Sequence, residues 1–185
     1  MTLLASLAEP QIFTVVCGFL GLAVGSFLNV VIHRLPRMME SDWQSQCAEL
    51  QGTTPPETES LSLAKPRSRC PSCGHSITAM ENIPVLSWLF LRGRCSACKS
   101  RISARYPVVE LVSAIVSAWC AYRFGPGLTA FGAMVFVWAI LSASLIDFDT
   151  QYLPDSITLP LLWLGLLLSL NGTFTDLRSA VNGAA

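Results

Sequence analysis

Four apolar stretches separated by polar segments set the layout of the chain. Ile12 to Ile32, Tyr106 to Tyr122, Leu128 to Ile146 and Ile157 to Leu170 are dominated by aliphatic and aromatic side chains. Ile12 to Ile32 is long enough to cross a hydrocarbon core, which takes roughly 20 apolar residues, and the other three stretches are read as membrane spans with it. The pattern predicts an all-α polytopic membrane protein with about four transmembrane helices and a polar insertion between the first two. Residues 1–33 form the first span in this reading and 34–106 the insertion. Residues 107–185 carry spans two to four and the start of a fifth helix at Leu177, capped by Asp176. Within the insertion, a helix is expected around Glu40 to Leu50, followed by a flexible linker through Pro55 and Pro56 to Lys65. Ile83 to Leu91 is a further apolar run, too short to span, which either packs on its neighbours or dips into the interface.

Composition supports this reading. The chain is 52% hydrophobic and 13% charged, against roughly 25% charged in a soluble domain. The net charge of zero conceals an asymmetry, because ten of the twelve Lys and Arg residues lie between Arg34 and Arg105. Arg34, Arg37, Arg101 and Arg105 flank span ends, which marks the insertion as cytoplasmic and the N-terminus as external. The first span lacks a basic leader region and a small-residue cleavage site, and reads as retained. Counting crossings then returns Asp147 to the side that carries the insertion.

The first span has a small-residue face. Gly18, Gly21, Gly25 and Asn29 recur at helical spacing, and Gly21 and Gly25 have the separation that lets two helices approach closely. Packing alone accounts for the glycines, whereas the Asn29 amide needs a partner.

Four of the seven cysteines form two CxxC pairs, Cys70/Cys73 and Cys95/Cys98. The stretch between them, Gly74 to Arg94, has the length usual between the halves of a four-cysteine zinc site. Four thiolates suit tetrahedral zinc at a closed structural site. A redox dithiol or an iron site are the competing readings, and a cytosolic face argues against structural disulfides. His75 follows the first pair as a neighbour of the site rather than a ligand. Cys17 and Cys120 lie in apolar runs as packing residues, and Cys47 has no assigned partner.

Carboxylates at span boundaries are the candidate chemistry. Glu110 lies one turn inside the second span, where an acid either faces protein or water or complements the helix dipole. Asp147, Asp149 and Asp155 fall between the third and fourth spans. Two carboxylates sharing a proton can act as an aspartic-protease dyad. On a helix, Asp147 and Asp149 diverge by about 200° and make a poor local pair. A dyad therefore draws one acid from this stretch and its partner from elsewhere, Glu110 and Asp155 being the nearest choices.

At this point the motifs resemble those of the type IV prepilin peptidases. The resemblance rests on GSFLNVVIHRLP (Gly25 to Pro36), CPSCGH with ENIP (Cys70 to Pro84), CSACK (Cys95 to Lys99), RYPVVE (Arg105 to Glu110) and IDFDTQYLPD (Ile146 to Asp155). It implies a bifunctional enzyme of the bacterial inner membrane. That enzyme removes the leader from type IV prepilins and pilin-like secretion proteins at the cytoplasmic face. It then methylates the new N-terminus with S-adenosylmethionine. The resemblance implies Asp147 as a catalytic aspartate, with Asp149, Asp155 and Glu110 in support. It implies zinc at Cys70, Cys73, Cys95 and Cys98, and partners that include membrane lipid but no nucleic acid. The family's second aspartate belongs to a GxGD motif, which does not occur in these residues. The expectation is accordingly an N-terminal portion of a longer enzyme. The alternative is a non-enzymatic membrane module whose zinc knuckle binds a cytoplasmic pilus or secretion partner, and a thiol-redox membrane protein is the third possibility.

Overall fold

The computed structural model describes residues 9–54 and 61–185. Among them there are only helices, turns and two isolated β-bridges. The helices are α1 (Pro10–Leu50), α2 (Leu86–Phe90), α3 (Arg105–Phe124), α4 (Leu128–Thr150), α5 (Asp155–Ser169) and α6 (Leu177–Ala184). The expected all-helical membrane architecture is present. Part of the predicted linker, 55–60 with Pro55 and Pro56, lies outside the described residues.

Two expectations change. The first span was expected to end at His33 to Arg37, with a separate helix from Glu40. Instead α1 is one helix of 41 residues that continues through Pro36. A proline inside a helix removes one backbone hydrogen bond and crowds the preceding turn. Contacts on either side keep the helix in place. The Arg34 guanidinium donates to the carbonyls of Ser62 at 2.8 Å and Pro66 at 2.7 Å, and the Trp43 ring meets Tyr152 edge-on at 5.2 Å. Second, among the described residues three helices, α1, α3 and α4, are long and apolar enough to cross a membrane, where about four were expected. The expected fourth span is α5, which has 15 residues and a length of about 22 Å. That is short of the roughly 30 Å hydrocarbon core.

The packing centre is the α1–α3 pair. A Cβ added at Gly21 would stand 2.7 Å from the Ser113 carbonyl oxygen and 2.8 Å from Ala114 Cα. One added at Gly25 would stand 2.7 Å from Glu110 Cα. The glycines therefore let the two backbones touch, as their spacing predicts. The Asn29 amide finds its partner on the same face, donating to the Tyr106 carbonyl at 3.1 Å. Behind this seam α4 closes two apolar clusters. Cys17 and Cys120 pack with Ala133 and Met134 in one, and Leu28, Ile32, Val109 and Ile146 form the other. The two cysteines are thus buried packing residues. Trp138 on α4 ties the seam together by donating its indole N–H to Ser117 Oγ at 2.9 Å.

Candidate metal centre and acidic site

The two CxxC segments fold as matched knuckles. In the first, Cys70 N–H donates to the His75 carbonyl and Gly74 N–H to the Cys70 carbonyl, both at 2.9 Å. In the second, Cys95 N–H donates to Ser100 at 2.9 Å and Lys99 N–H to Cys95 at 3.1 Å. Bridges Arg69–Ser76 and Arg94–Arg101 close the two loops. The fifth residue of each loop turns left-handed, Gly74 at φ 72° and Lys99 at φ 60°.

The knuckles bring the four thiols together. All four Sγ atoms lie within 4.8 Å of one another, a cluster able to hold a metal ion. The close pair Cys70–Cys98, at 3.8 Å, runs between knuckles. A tetrahedral zinc–thiolate site has sulfur–sulfur edges of about 3.8 Å, from Zn–S bonds of roughly 2.3 Å. The donor set therefore fits zinc. The Ser100 hydroxyl, helped by the amides of Ser72 and Cys73, lowers the Cys70 thiol to about 6. At Cys73 the His75 amide favours the thiolate, but crowding by Cys98, desolvation and the other two thiols outweigh it and raise the group to about 11. Packing like groups this closely splits their titrations, a conflict that a bound divalent cation removes.

His75 is not in the cluster. Its Nε2 lies 3.4 Å from Glu81 Oε1. Glu81 is itself held well down, to about 2, by the Ser96 hydroxyl and by the backbone and hydroxyl of Thr78. This network joins the first knuckle, the 3₁₀ turn Met80–Asn82 and the second knuckle.

Glu110 is buried, at 7% exposure, and accepts the Val85 N–H at 2.7 Å. The carboxylate therefore faces protein and not lipid. It fastens the module to α3 at a residue whose backbone is left-handed, Val85 at φ 60°, an outlier for a β-branched side chain. Between the module and the α1–α3 pair lies a cavity of about 590 Å³. Asn29, Arg34, Arg69, Trp88, Arg101 and Glu110 are among the residues that line it.

The three aspartates do not converge. Asp147 and Asp149 both lie in the last turn of α4, where helical geometry turns them apart. Asp149 is gripped by Arg105 through two contacts of 2.7 and 2.8 Å. The same guanidinium donates to the Leu145 carbonyl at 3.4 Å. Asp147 is exposed. Gln151 seals its backbone, donating its N–H at 2.8 Å and its Nε2 at 3.0 Å to the Asp147 carbonyl. Asp155 opens α5, where its charge complements the helix dipole. The Arg105 contacts put the start of α3 and the end of α4 at one end of the helix group. The Val85–Glu110 bond puts the cysteine module at that end too, as the count of crossings predicts. Sequence reasoning missed Arg105, Val85 and Trp43 as partners. The RYPVVE motif offered one signal, a cation at a span boundary whose opposite charge had to come from another span end.

These features, apolar spans with a four-thiol cluster and an aspartate stretch at one end, define a polytopic membrane protein with a compact cysteine module. The comparisons agree, and the chain belongs to the type IV leader peptidase family. Residues 19–124 match the bacterial peptidase A24 N-terminal domain and residues 134–185 the type IV leader peptidase family. Among curated relatives, the prepilin leader peptidase/N-methyltransferase of Stutzerimonas stutzeri is 51% identical over 100% of this chain and 64% of its own length. Those of Pseudomonas putida and Pseudomonas aeruginosa are 51% and 48% identical over the same shares. The chain thus spans 64% of the length of these relatives. No solved structure matches it.

Proposed function

We propose that the chain carries one catalytic aspartate, Asp147, of an aspartyl peptidase that removes the leader of type IV prepilins and pilin-like secretion proteins. The observation that carries this is the different treatment of the two helical aspartates. Both aspartates are exposed, but Asp149 is paired with Arg105, while Asp147 stands outside that pair at the end of α4 with its backbone carbonyl capped by Gln151. Asp147 activates water in partnership with a second carboxylate, and Asp149 and Asp155 shape the turn between α4 and α5. The bilayer concerned is the bacterial inner membrane, with the module and Asp147 on its cytoplasmic side.

In the same reading the cysteines Cys70, Cys73, Cys95 and Cys98 hold zinc as a structural centre. The whole enzyme also methylates the new pilin N-terminus. S-adenosylmethionine, when bound, supplies the electrophilic methyl group. The cavity beside the module has a fitting donor set. Glu110 offers a carboxylate to an ammonium, Arg69 and Arg101 offer guanidinium groups to a carboxylate, and Trp88 offers an aromatic edge.

The test is co-expression of the complete enzyme with a prepilin, followed by mass spectrometry of the pilin N-terminus. Asp147→Asn is expected to abolish cleavage while the protein stays in the membrane. Cleavage that persists in this variant overturns the assignment.

A further inference from the structure

The short helix α2 presents two different faces. Leu86, Leu89 and Phe90 stand at i, i+3 and i+4, so they share one side of the helix. They are 52%, 57% and 83% exposed. Trp88 points the other way. Its indole N–H donates to the Ile102 carbonyl at 3.2 Å, and Gly93 lies so close that a Cβ there would meet the ring at 2.9 Å. The rotation of α2 is therefore locked, with its apolar face outward.

The depth of that face is also fixed. Val85, immediately before α2, donates to Glu110 at 2.7 Å, and Glu110 lies five positions into a membrane-spanning helix that begins at Arg105. At 1.5 Å rise per residue, this places the start of α2 about 7 Å along the span. Interfacial helices bury their apolar face roughly 5–10 Å into the boundary between headgroups and acyl chains. The exposed side chains of Tyr106, Val108 and Leu111 lie about 2 to 9 Å along α3 and bracket this depth, so exposed apolar surface of the span runs past the level of α2. Arg92 and Arg94 follow directly and are exposed, suited to phosphates at the membrane surface.

We propose that the apolar face of α2 is a lipid contact, with Leu86, Leu89 and Phe90 inserted at the headgroup–acyl boundary. The cysteine module is then seated on the bilayer by its own wedge as well as by its bond to α3. This turns an expectation left open by the sequence, that Ile83 to Leu91 packs or dips, into a division of labour within one helix, in which Trp88 packs and Leu86, Leu89 and Phe90 dip.

The test uses the full chain in nanodiscs of phosphatidylethanolamine and phosphatidylglycerol, with a photoreactive benzophenone side chain at position 89, 90 or, as control, 97. Ala97 is exposed on the second knuckle. Irradiation is expected to give acyl-chain adducts at positions 89 and 90, read by mass spectrometry, at least tenfold above position 97. Cys70 and Cys95 are buried, and their resistance to alkylation, measured on each labelled sample, establishes that the module is folded. Adducts to a second copy of the chain, or lipid adducts no higher than at position 97, overturn the proposal.

Discussion

Lys99 occupies the left-handed position that glycine fills in the first knuckle. A side chain with a Cβ costs roughly 1–2 kcal/mol there. Lys99 recovers part of this by donating Nζ to the Ser96 carbonyl at 2.9 Å. Lys99→Gly is therefore expected to stabilise the module by up to ~1 kcal/mol, seen as slower zinc loss to a competing chelator. Glu81 makes a second prediction at this scale. Its folded-state value of about 2 lies below the ordinary carboxylate value. A depressed value contributes stability that is complete above the unfolded value and fades as pH falls through the folded one. The stability difference between wild type and Glu81→Gln should be constant above about pH 5 and shrink steadily toward pH 2. Measuring it as a difference removes the acid sensitivity of the thiolates, which both proteins share. A gap that does not narrow would rule out the carboxylate as its source.

At the scale of elements, the α1–α3 seam separates glycines that its sequence spacing groups together. Gly25→Ala drives a methyl into Glu110 Cα at 2.7 Å and Gly21→Ala into the Ser113 carbonyl at 2.7 Å. Backbone cannot move aside as a side-chain tip can, so each is expected to cost roughly 1–3 kcal/mol. Gly18→Ala meets Ala118 Cβ at 3.6 Å and the Ala114 carbonyl oxygen at 4.0 Å, ordinary contact distances, and should be nearly neutral. Thermal unfolding in detergent distinguishes the three. Arg105 acts between elements, joining the start of α3 to the end of α4. Its ion pair with Asp149 is 40% and 34% exposed, so it contributes under about 1 kcal/mol to stability. Its effect should fall on the geometry of Asp147 instead. Arg105→Ala in the complete enzyme is expected to cut prepilin cleavage at least tenfold with little change in melting temperature. Arg105→Lys should recover part of the cleavage, because Lys keeps the charge but not the second nitrogen that reaches the Leu145 carbonyl.

At the scale of the molecule, the helix group and the cysteine module are held by different forces. The helices meet through buried glycine, serine and aliphatic surfaces, while the module is turns organised around four thiols. If the four thiols hold zinc as proposed, chelation is expected to unfold residues 68–102 and leave α1, α3 and α4 helical. Far-UV circular dichroism should change little while all four cysteines become open to alkylation.

The all-helical class, α3, α4 and α5 to within a few residues, the two knuckles, the glycine seam and the shared end of Asp147 and the module were all legible in the sequence. Each depends on local pattern: hydrophobic length, CxxC spacing, small-residue periodicity and the parity of crossings. The continuation of α1 through Pro36 was not legible, because local preference stops a helix there and only Arg34, Trp43 and their distant partners oppose it. The shortness of α5 was already visible in the length of its apolar run, Ile157 to Leu170, which the helix Asp155–Ser169 matches closely. The sequence by itself determined which groups this protein possesses and on which end of its spans they fall. The tertiary structure alone decided that Arg105 takes Asp149 and not Asp147, and that Glu110 holds Val85. Those pairings join residues far apart in the chain, and such partners are chosen by helix rotation and packing, which local pattern does not encode.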